Sequence, residues 1–311
     1  MPELPEVETV RRQLGQSLLG LRFVSVERIE SAMLLDCTPE QIRAELPGRV
    51  VEEVARKGKF LVLVLTEDAY LTLHLGMTGH LLVARELGSG EAVQRGTGGT
   101  GAGRTGKSQA AGAEVSDPHS RFLFSLRSRA EEAADRHEQA APSVWLEFRD
   151  MRKFGRVQLS FGSPAPRLAR LGPDAWKGAW DIDYLRVRFG GRRAPLKALL
   201  LDQSILAGIG NIYADEILWA AQLSPLRLAG TLTLEELSRL ASEIPRRLEE
   251  GVRLLGCSIS DFVDTDGRAG GFQGTLKAYG RQGQTCGRCG QTIVRVIVAG
   301  RGTAFCPGCQ F

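Results

Sequence analysis

The sequence lacks what would put it in a membrane, a disulfide scaffold or a highly charged assembly. No run of 18 apolar residues occurs in its 311 residues, so no stretch reads as a transmembrane helix. The N-terminus is acidic and amphipathic, which excludes a secretory signal of the usual form. A cytoplasmic protein with no membrane partner is the expectation. The formal net charge is only +4, with a pI near 8.8. That mild basicity permits a polyanionic partner without requiring one. Cysteines number six, and four of them lie in the last 26 residues as two CxxC pairs, which isolates Cys37 and Cys257. This distribution excludes a disulfide framework and suits a metal site in a reducing compartment.

What is present is a 43% hydrophobic content, enough for a packed core, and a length that fits two domains of ordinary size. Val7, Val10, Leu14 and Leu18 recur at helical spacing after Pro5, which predicts a helix from Pro5 to about Leu18. Eight strand-like runs follow: Leu21–Ile29, Val50–Val54, Phe60–Leu65, Tyr70–Leu75, Leu81–Val83, Phe122–Leu126, Val144–Phe148 and Arg156–Leu159. So many short strands behind one helix predict a β-sandwich. Two stretches interrupt them. Residues 86–116 hold the glycine-rich run from Gly96 to Gly103 and read as a disordered loop. Residues 127–143 are charged and Ala-rich and read as an extension of a hairpin. After Gly172-Pro173 the pattern becomes helical, with helices expected over Asp181–Phe189, Pro195–Leu201 and Asn211–Ala221. Thr233 to Glu236 has the spacing of a capping box. It opens a long helix lined by Leu237, Leu240, Ile244, Leu248 and Leu255, which Pro245 should kink.

Cys286 and Cys289, then Cys306 and Cys309 after sixteen intervening residues, have the spacing of a tetrahedral Cys₄ zinc site. Four thiolates close the site, so one structural zinc is expected. Ile293–Val298 and Thr303–Phe305 should pair as a hairpin whose turn, Ala299 to Gly302, projects Arg301. Gly208 to Asn211 precedes a helix, where backbone N–H groups and the Asn211 amide suit a phosphate; an ordinary glycine turn with an Asn cap fits as well. Met77 and Phe154 fall in turns they do nothing to form. Both suit wedging between bases, or tucking into the core. Lys59 opens an apolar run, where a surface lysine is the common case. Pro2 follows Met1, so removal of Met1 is expected and would expose a secondary amine. Such an α-amine has a pKa near 7.7–8.0, so a fair fraction is uncharged and nucleophilic at neutral pH. Glu3 beside it is a candidate proton donor or acceptor. By itself the pair also reads as a frayed terminus.

PELPEVETV at 2–10, Gly58 to Leu61, HLGMTG at 74–79, DMRKFG at 150–155, GIGNIYADE at 208–216, YGRQG at 279–283 and the Cys₄ segment together resemble the formamidopyrimidine-DNA glycosylases. The resemblance spans the whole chain. It implies an α+β architecture: an N-terminal β-sandwich with flanking helices (1–160), a helix-two-turn-helix domain (161–275) and a zinc-finger hairpin (276–311). It implies a monomeric, bifunctional glycosylase and AP lyase that removes oxidised purines from double-stranded damaged DNA. By that resemblance Pro2 is the nucleophile, Glu3 the proton donor to the sugar, Lys59 an aid to β-elimination and Arg301 the finger arginine of δ-elimination. Met77, Arg152 and Phe154 match the trio that fills the gap left by the everted base. His119, Arg193 and Asn211 match DNA contacts. Some relatives carry Lys or Arg where Ser260 stands, so the reaction is better indicated than the range of lesions. Two rivals differ in what they require. An endonuclease VIII-like enzyme for oxidised pyrimidines typically opens PEGPE, against Leu4 here. A non-catalytic zinc-finger DNA-binding protein would leave Pro2, Glu3 and Lys59 unexplained.

Overall fold

The computed structural model describes residues 1–85, 117–128, 144–259 and 262–311. The glycine-rich stretch 86–116, most of the charged stretch (129–143) and Ser260 lie outside the described residues. Arg127 and Ser128, expected in that second stretch, instead finish a strand.

The first helix, α1, spans Leu4–Leu18. Glu3 stands at its N-cap, and the Glu6 carboxylate accepts the Glu3 N–H at 2.7 Å. Val7, Val10, Leu14 and Leu18 are fully buried, as their spacing predicts. Strand β1 (Leu21–Arg28) follows, then a helix absent from the sequence reading, α2 (Pro39–Glu45). Its signals are nonetheless in the sequence: Thr38 and Gln41 form a capping box with Pro39 in the first turn, satisfying N–H groups that would otherwise go unpaired.

Strands β2 (Val51–Lys57), β3 (Phe60–Leu65), β4 (Ala69–His74), β5 (His80–Arg85), β6 (Ser120–Ser128), β7 (Val144–Arg149) and β8 (Arg156–Phe161) complete the layer. They form two four-stranded antiparallel sheets, β1-β6-β7-β5 and β2-β3-β4-β8. Alternation sends Leu61, Leu63, Leu71 and Leu73 from one sheet, and Phe23, Phe122, Phe124 and Phe148 from the other, into one core with α1. This is the expected sandwich. The interrupting stretches connect β5 to β6 and β6 to β7.

The second half is helical: α3 (Ile182–Phe189), α4 (Leu196–Leu201), α5 (Asn211–Ala221) and α6 (Leu234–Arg253). The Thr233–Glu236 capping box is present, and α6 continues through Pro245. Leu255 does not line its face: the helix ends at Arg253, and Leu255 lies beyond it at φ 60° and 48% exposed. Leu4 joins the helical core while Val7 to Leu18 join the sandwich core, so α1 belongs to both. Strands β9 (Val294–Val298) and β10 (Arg301–Phe305) form the final hairpin. Its turn is shorter than expected. Ala299 and Gly300 both have positive φ, which suffices for a two-residue turn matched to strand twist. Arg301 is therefore the first residue of β10, opposite Val298.

The two halves meet across a buried charge cluster. Arg56 on β2 donates to Glu8 of α1 at 3.0 Å and to Asp174 at 2.5 Å. The Arg56 and Glu8 side chains are each 6% exposed. Removing one partner of a buried pair strands the others without compensation, at a cost of about 3–5 kcal/mol. Arg56→Met should therefore lower unfolding stability in urea at neutral pH by about that amount; a variant as stable as the parent would show that the cluster does not join the halves.

Candidate active site

Glu3 is the centre of the site, although only its neighbour Pro2 made it a candidate in the sequence. Its side chain is 1% exposed. One carboxylate oxygen accepts the Ile212 N–H at 2.8 Å, and the other accepts those of Gly210 at 2.8 Å and Tyr213 at 3.3 Å. These are N–H groups at the start of α5. A carboxylate there gains both hydrogen bonds and the favourable end of the helix dipole. The N–H groups expected to await a phosphate are thus already taken, by a residue 207 positions away. Asn211 is not the cap either; Gly210 holds that position. Glycine is required because a Cβ on Gly210 would lie 2.3 Å from the Glu3 carboxyl carbon, and one on Gly208 would lie 2.4 Å from Leu4. The Leu4 N–H completes the junction by donating to the Gly208 carbonyl at 3.1 Å.

Lys59 comes from the β2–β3 turn, which abuts the same junction. A Cβ on Gly58 would lie 2.9 Å from Ala207 Cβ, and the Gly58 N–H donates to Asp174 at 3.1 Å. Lys59 is 8% exposed. Burial lowers its pKa, Glu3 and Glu6 act to raise it, and Arg301 lowers it again. The groups felt by Lys59 therefore come from α1 and from the finger. Pro2 is buried at the start of α1. Structure thus assembles Pro2, Glu3, Lys59 and Arg301 around one junction of three chain regions.

Three groups escaped the sequence reading. Glu6, in the first turn of α1, is 1% exposed. It accepts from Tyr213 Oη at 3.0 Å and from the Cys257 N–H at 2.7 Å. Burial, then the Glu3 charge, raises its pKa from 4.5 to about 7. His74 sits against Phe60, ring centroids 4.6 Å apart, and its Nδ1 accepts the Gly76 N–H. Burial, then Lys59, lowers its pKa to about 4, so it is neutral at pH 7. Lys197 is fully buried, four residues after the Arg193 selected from sequence. It pairs with Asp215 at 2.6 Å and donates to Thr303 Oγ1 at 2.9 Å. Asp215 in turn accepts the Ala304 N–H, and Asn211 donates its amide to the Gly302 carbonyl. Helix α5 thereby grips β10 immediately after Arg301. Glu6 and Lys197 were illegible because only tertiary packing buries them.

The other candidates form a second group. Phe154 is exposed (45%) and Met77 is half-buried, so Phe154 does not tuck into the core. Arg152 stacks over the Phe154 ring at 4.5 Å. His119 lies in the turn before β6, where its carbonyl accepts the Asp150 N–H. Arg193 is brought to neither group; it is exposed between α3 and α4, with no hydrogen bond or ion pair among the described residues.

In the finger, the four Sγ atoms of Cys286, Cys289, Cys306 and Cys309 lie within 4.8 Å of one another. Zn–S bonds of about 2.3 Å in a tetrahedron place sulfurs roughly 3.8 Å apart. Cys286 to Cys309 is 3.8 Å and Cys289 to Cys306 is 3.3 Å, so the donor set fits. Arg288 stacks on Trp219 of α5 at 4.0 Å and donates to its carbonyl, seating the finger on the helices.

Comparison with known proteins agrees with this geometry. Residues 1–157 match the formamidopyrimidine-DNA glycosylase N-terminal domain, 171–263 the H2TH domain of the same enzymes, and 283–310 a zinc finger found in FPG and IleRS. Sandwich, helical unit and finger together define a DNA-repair glycosylase of the zinc-finger class. A formamidopyrimidine-DNA glycosylase from Moorella thermoacetica is 38% identical, over 95% of this chain and 94% of its own. One from Herpetosiphon aurantiacus is 36% identical over all of both chains. The crystal structure of the MutM (FPG) protein of Thermus thermophilus superposes with TM-score 0.77 at 37% identity, covering 99% of this chain and 98% of that one. The Lactococcus lactis Fpg in complex with DNA containing an abasic site gives 0.78 at 30% identity, covering 99% of each. The chain belongs to the formamidopyrimidine-DNA glycosylase family. It is a DNA glycosylase and AP lyase, and its finger holds one structural zinc ion.

The buried Glu6 sets a pH dependence. Its folded pKa lies above its ordinary value of 4.5. The stability it contributes is therefore complete below about pH 4.5 and is lost as pH rises through about 7, with a slope of up to about 1.4 kcal/mol per pH unit. Urea unfolding between pH 5 and 8 should show this fall in the parent and a flatter profile in Glu6→Gln. Parallel profiles would mean that Glu6 is ionised throughout.

Proposed function

We propose that the enzyme excises oxidised purines, formamidopyrimidines and 8-oxoguanine, from double-stranded damaged DNA through a Schiff base on Pro2, with β,δ-elimination. The observation carrying this reading is the Glu3 carboxylate bound to the start of α5, which anchors the residue next to Pro2, with Lys59 under the electrostatic influence of both Glu3 and Arg301.

A base inside a duplex does not expose its glycosidic carbon, so the nucleotide must be everted first. After removal of Met1, the Pro2 nitrogen attacks C1′, and the base leaves with the bonding pair and takes up a proton from solvent. Glu3 takes the proton that the Pro2 nitrogen sheds and passes it to the ring oxygen as the sugar ring opens, leaving an iminium between C1′ and the Pro2 nitrogen. A secondary amine gives a permanently charged iminium, which acidifies the C2′ hydrogen. Loss of that proton expels the 3′ phosphate. Lys59 supports this elimination and contacts phosphate; its depressed pKa suits it to exchange protons. Arg301 serves the following elimination of the 5′ phosphate. Met77, Arg152 and Phe154 fill the vacated space, Arg152 facing the orphaned base. His119, Arg193 and Asn211 contact the DNA. With domains at 1–160, 161–275 and 276–311, the DNA lies in the cleft between the first and the other two. The enzyme acts as a cytoplasmic monomer. Among the described residues no helix is long and apolar enough to cross a membrane.

Borohydride should trap a covalent complex on a duplex containing 8-oxoguanine, more rapidly than on one containing an oxidised pyrimidine. Protein shown by mass spectrometry to retain Met1 should not trap. Undiminished trapping by that form would remove Pro2 as the nucleophile, and preference for the pyrimidine would reverse the lesion assignment.

A further inference from the structure

Exposed apolar side chains need something other than burial to hold them in place before DNA arrives. Met151 and Phe154 are 54% and 45% exposed, so burial does not fix their turn. Asp150, between β7 and that turn, is 0% exposed and belongs to no ion pair among the described residues. Its Oδ1 accepts from Thr78 Oγ1 at 2.5 Å and from the Arg152 N–H at 3.1 Å. Its Oδ2 accepts the Gly155 N–H at 2.7 Å. Its backbone N–H donates to the His119 carbonyl at 2.9 Å, and its carbonyl accepts from Arg121 Nε at 2.7 Å. One residue thus reaches three turns that are distant in sequence, those bearing Met77, His119 and Arg152–Phe154.

The turns also interlock sterically. A Cβ on Gly76, at φ +65°, would lie 2.5 Å from the Phe154 carbonyl carbon. One on Gly155 would lie 2.5 Å from Phe148 Cζ and 3.1 Å from Asp150 Oδ2. Between them Lys153 adopts φ 55°, a strained conformation for a residue with a side chain. A buried carboxylate that joins no ion pair among the described residues is costly, and this one accepts backbone N–H groups of a strained, solvent-facing turn.

We propose that Asp150 is the positioning residue that pre-assembles Met77, Arg152 and Phe154 for insertion into the duplex. This rests on the wedge role proposed above. Asp150 never touches DNA. It lowers the ordering that the trio must undergo when the base leaves, in the manner of any preorganised binding surface. Its Asp→Asn change discriminates well. The amide conserves volume, and its one oxygen can still accept from Thr78 and Arg152. Its NH₂ would then face the Gly155 N–H, donor against donor, and release the Phe154 side of the turn.

The test compares single-turnover cleavage of an intact 8-oxoguanine duplex with cleavage of a ready-made abasic duplex. Asp150→Asn should slow base excision by up to about a hundredfold, as for a misplacement near 1 Å, and leave abasic cleavage within a few-fold. Added to Phe154→Ala, it should cause little further loss, because the two act on one step. Thr78→Val, which removes a single bond, should show the same lesion-specific loss in smaller degree and serves if Asp150→Asn folds poorly. Equal losses on both duplexes, or additive losses in the double variant, would overturn the proposal and leave Asp150 a general stabiliser of the fold. A lesion-specific defect in Phe154→Ala with none in Asp150→Asn or Thr78→Val would overturn it while sparing the wedge. Absence of any lesion-specific defect in Phe154→Ala would overturn the wedge reading itself.

Discussion

Much of this molecule depends on a carboxylate from the start of one helix capping the start of another. Glu3 precedes α1, yet its oxygens accept N–H groups of α5. Helix starts expose unpaired N–H groups, and a cap from within the sequence would have satisfied them locally. Taking the cap from elsewhere couples the N-terminal lobe to the helical lobe at the point where the chemistry is proposed. It also explains why the flanking residues are small: Gly208 and Gly210 leave room for Leu4 and Glu3. Any substitution that moved α5 would move Glu3, and with it the residue that precedes it.

Around that junction, charges are buried in compensating sets. Arg56 joins Glu8 to Asp174, and Lys197 meets Asp215. Lys59 has Glu3 and Glu6 to offset its burial, with Arg301 acting in the other direction. Such sets are weak evidence for stability, since desolvation consumes much of the attraction. Their consequence is positional. Asp174 also accepts the Gly58 N–H and so aims the turn bearing Lys59. Lys197 and Asp215 hold the strand that begins at Arg301. Glu6, with no cation bonded to it among the described residues, has its pKa raised by burial and by the Glu3 charge. A site built this way aligns groups from three chain regions without placing any of them on a free loop.

The reading from sequence was most accurate where local rules decide. The α1 register followed from Val7, Val10, Leu14 and Leu18, the sheets from alternation, and the start of α6 from Thr233 and Glu236. It missed α2, whose capping box was visible but whose short length gave no periodic stripe. It overextended the face of α6 to Leu255, because periodicity does not register where backbone turns left-handed. It gave the β9–β10 turn four residues where two suffice.

By itself, the sequence determined which groups are available. CxxC spacing imposes a four-thiolate finger, Pro-Glu at positions 2 and 3 sets an acid beside a proline whose amine removal of Met1 would free, and hydrophobic period sets the elements. These are short-range properties, carried by residues a few positions apart. Only tertiary structure decided that Glu3 occupies the N–H groups that looked ready for phosphate, that burial raises the Glu6 pKa, and that Lys197 rather than Arg193 is held in the helical core. Each of these depends on desolvation and on partners more than ten residues distant. Burial and long-range pairing are properties of the packed chain, and no spacing within a segment encodes them.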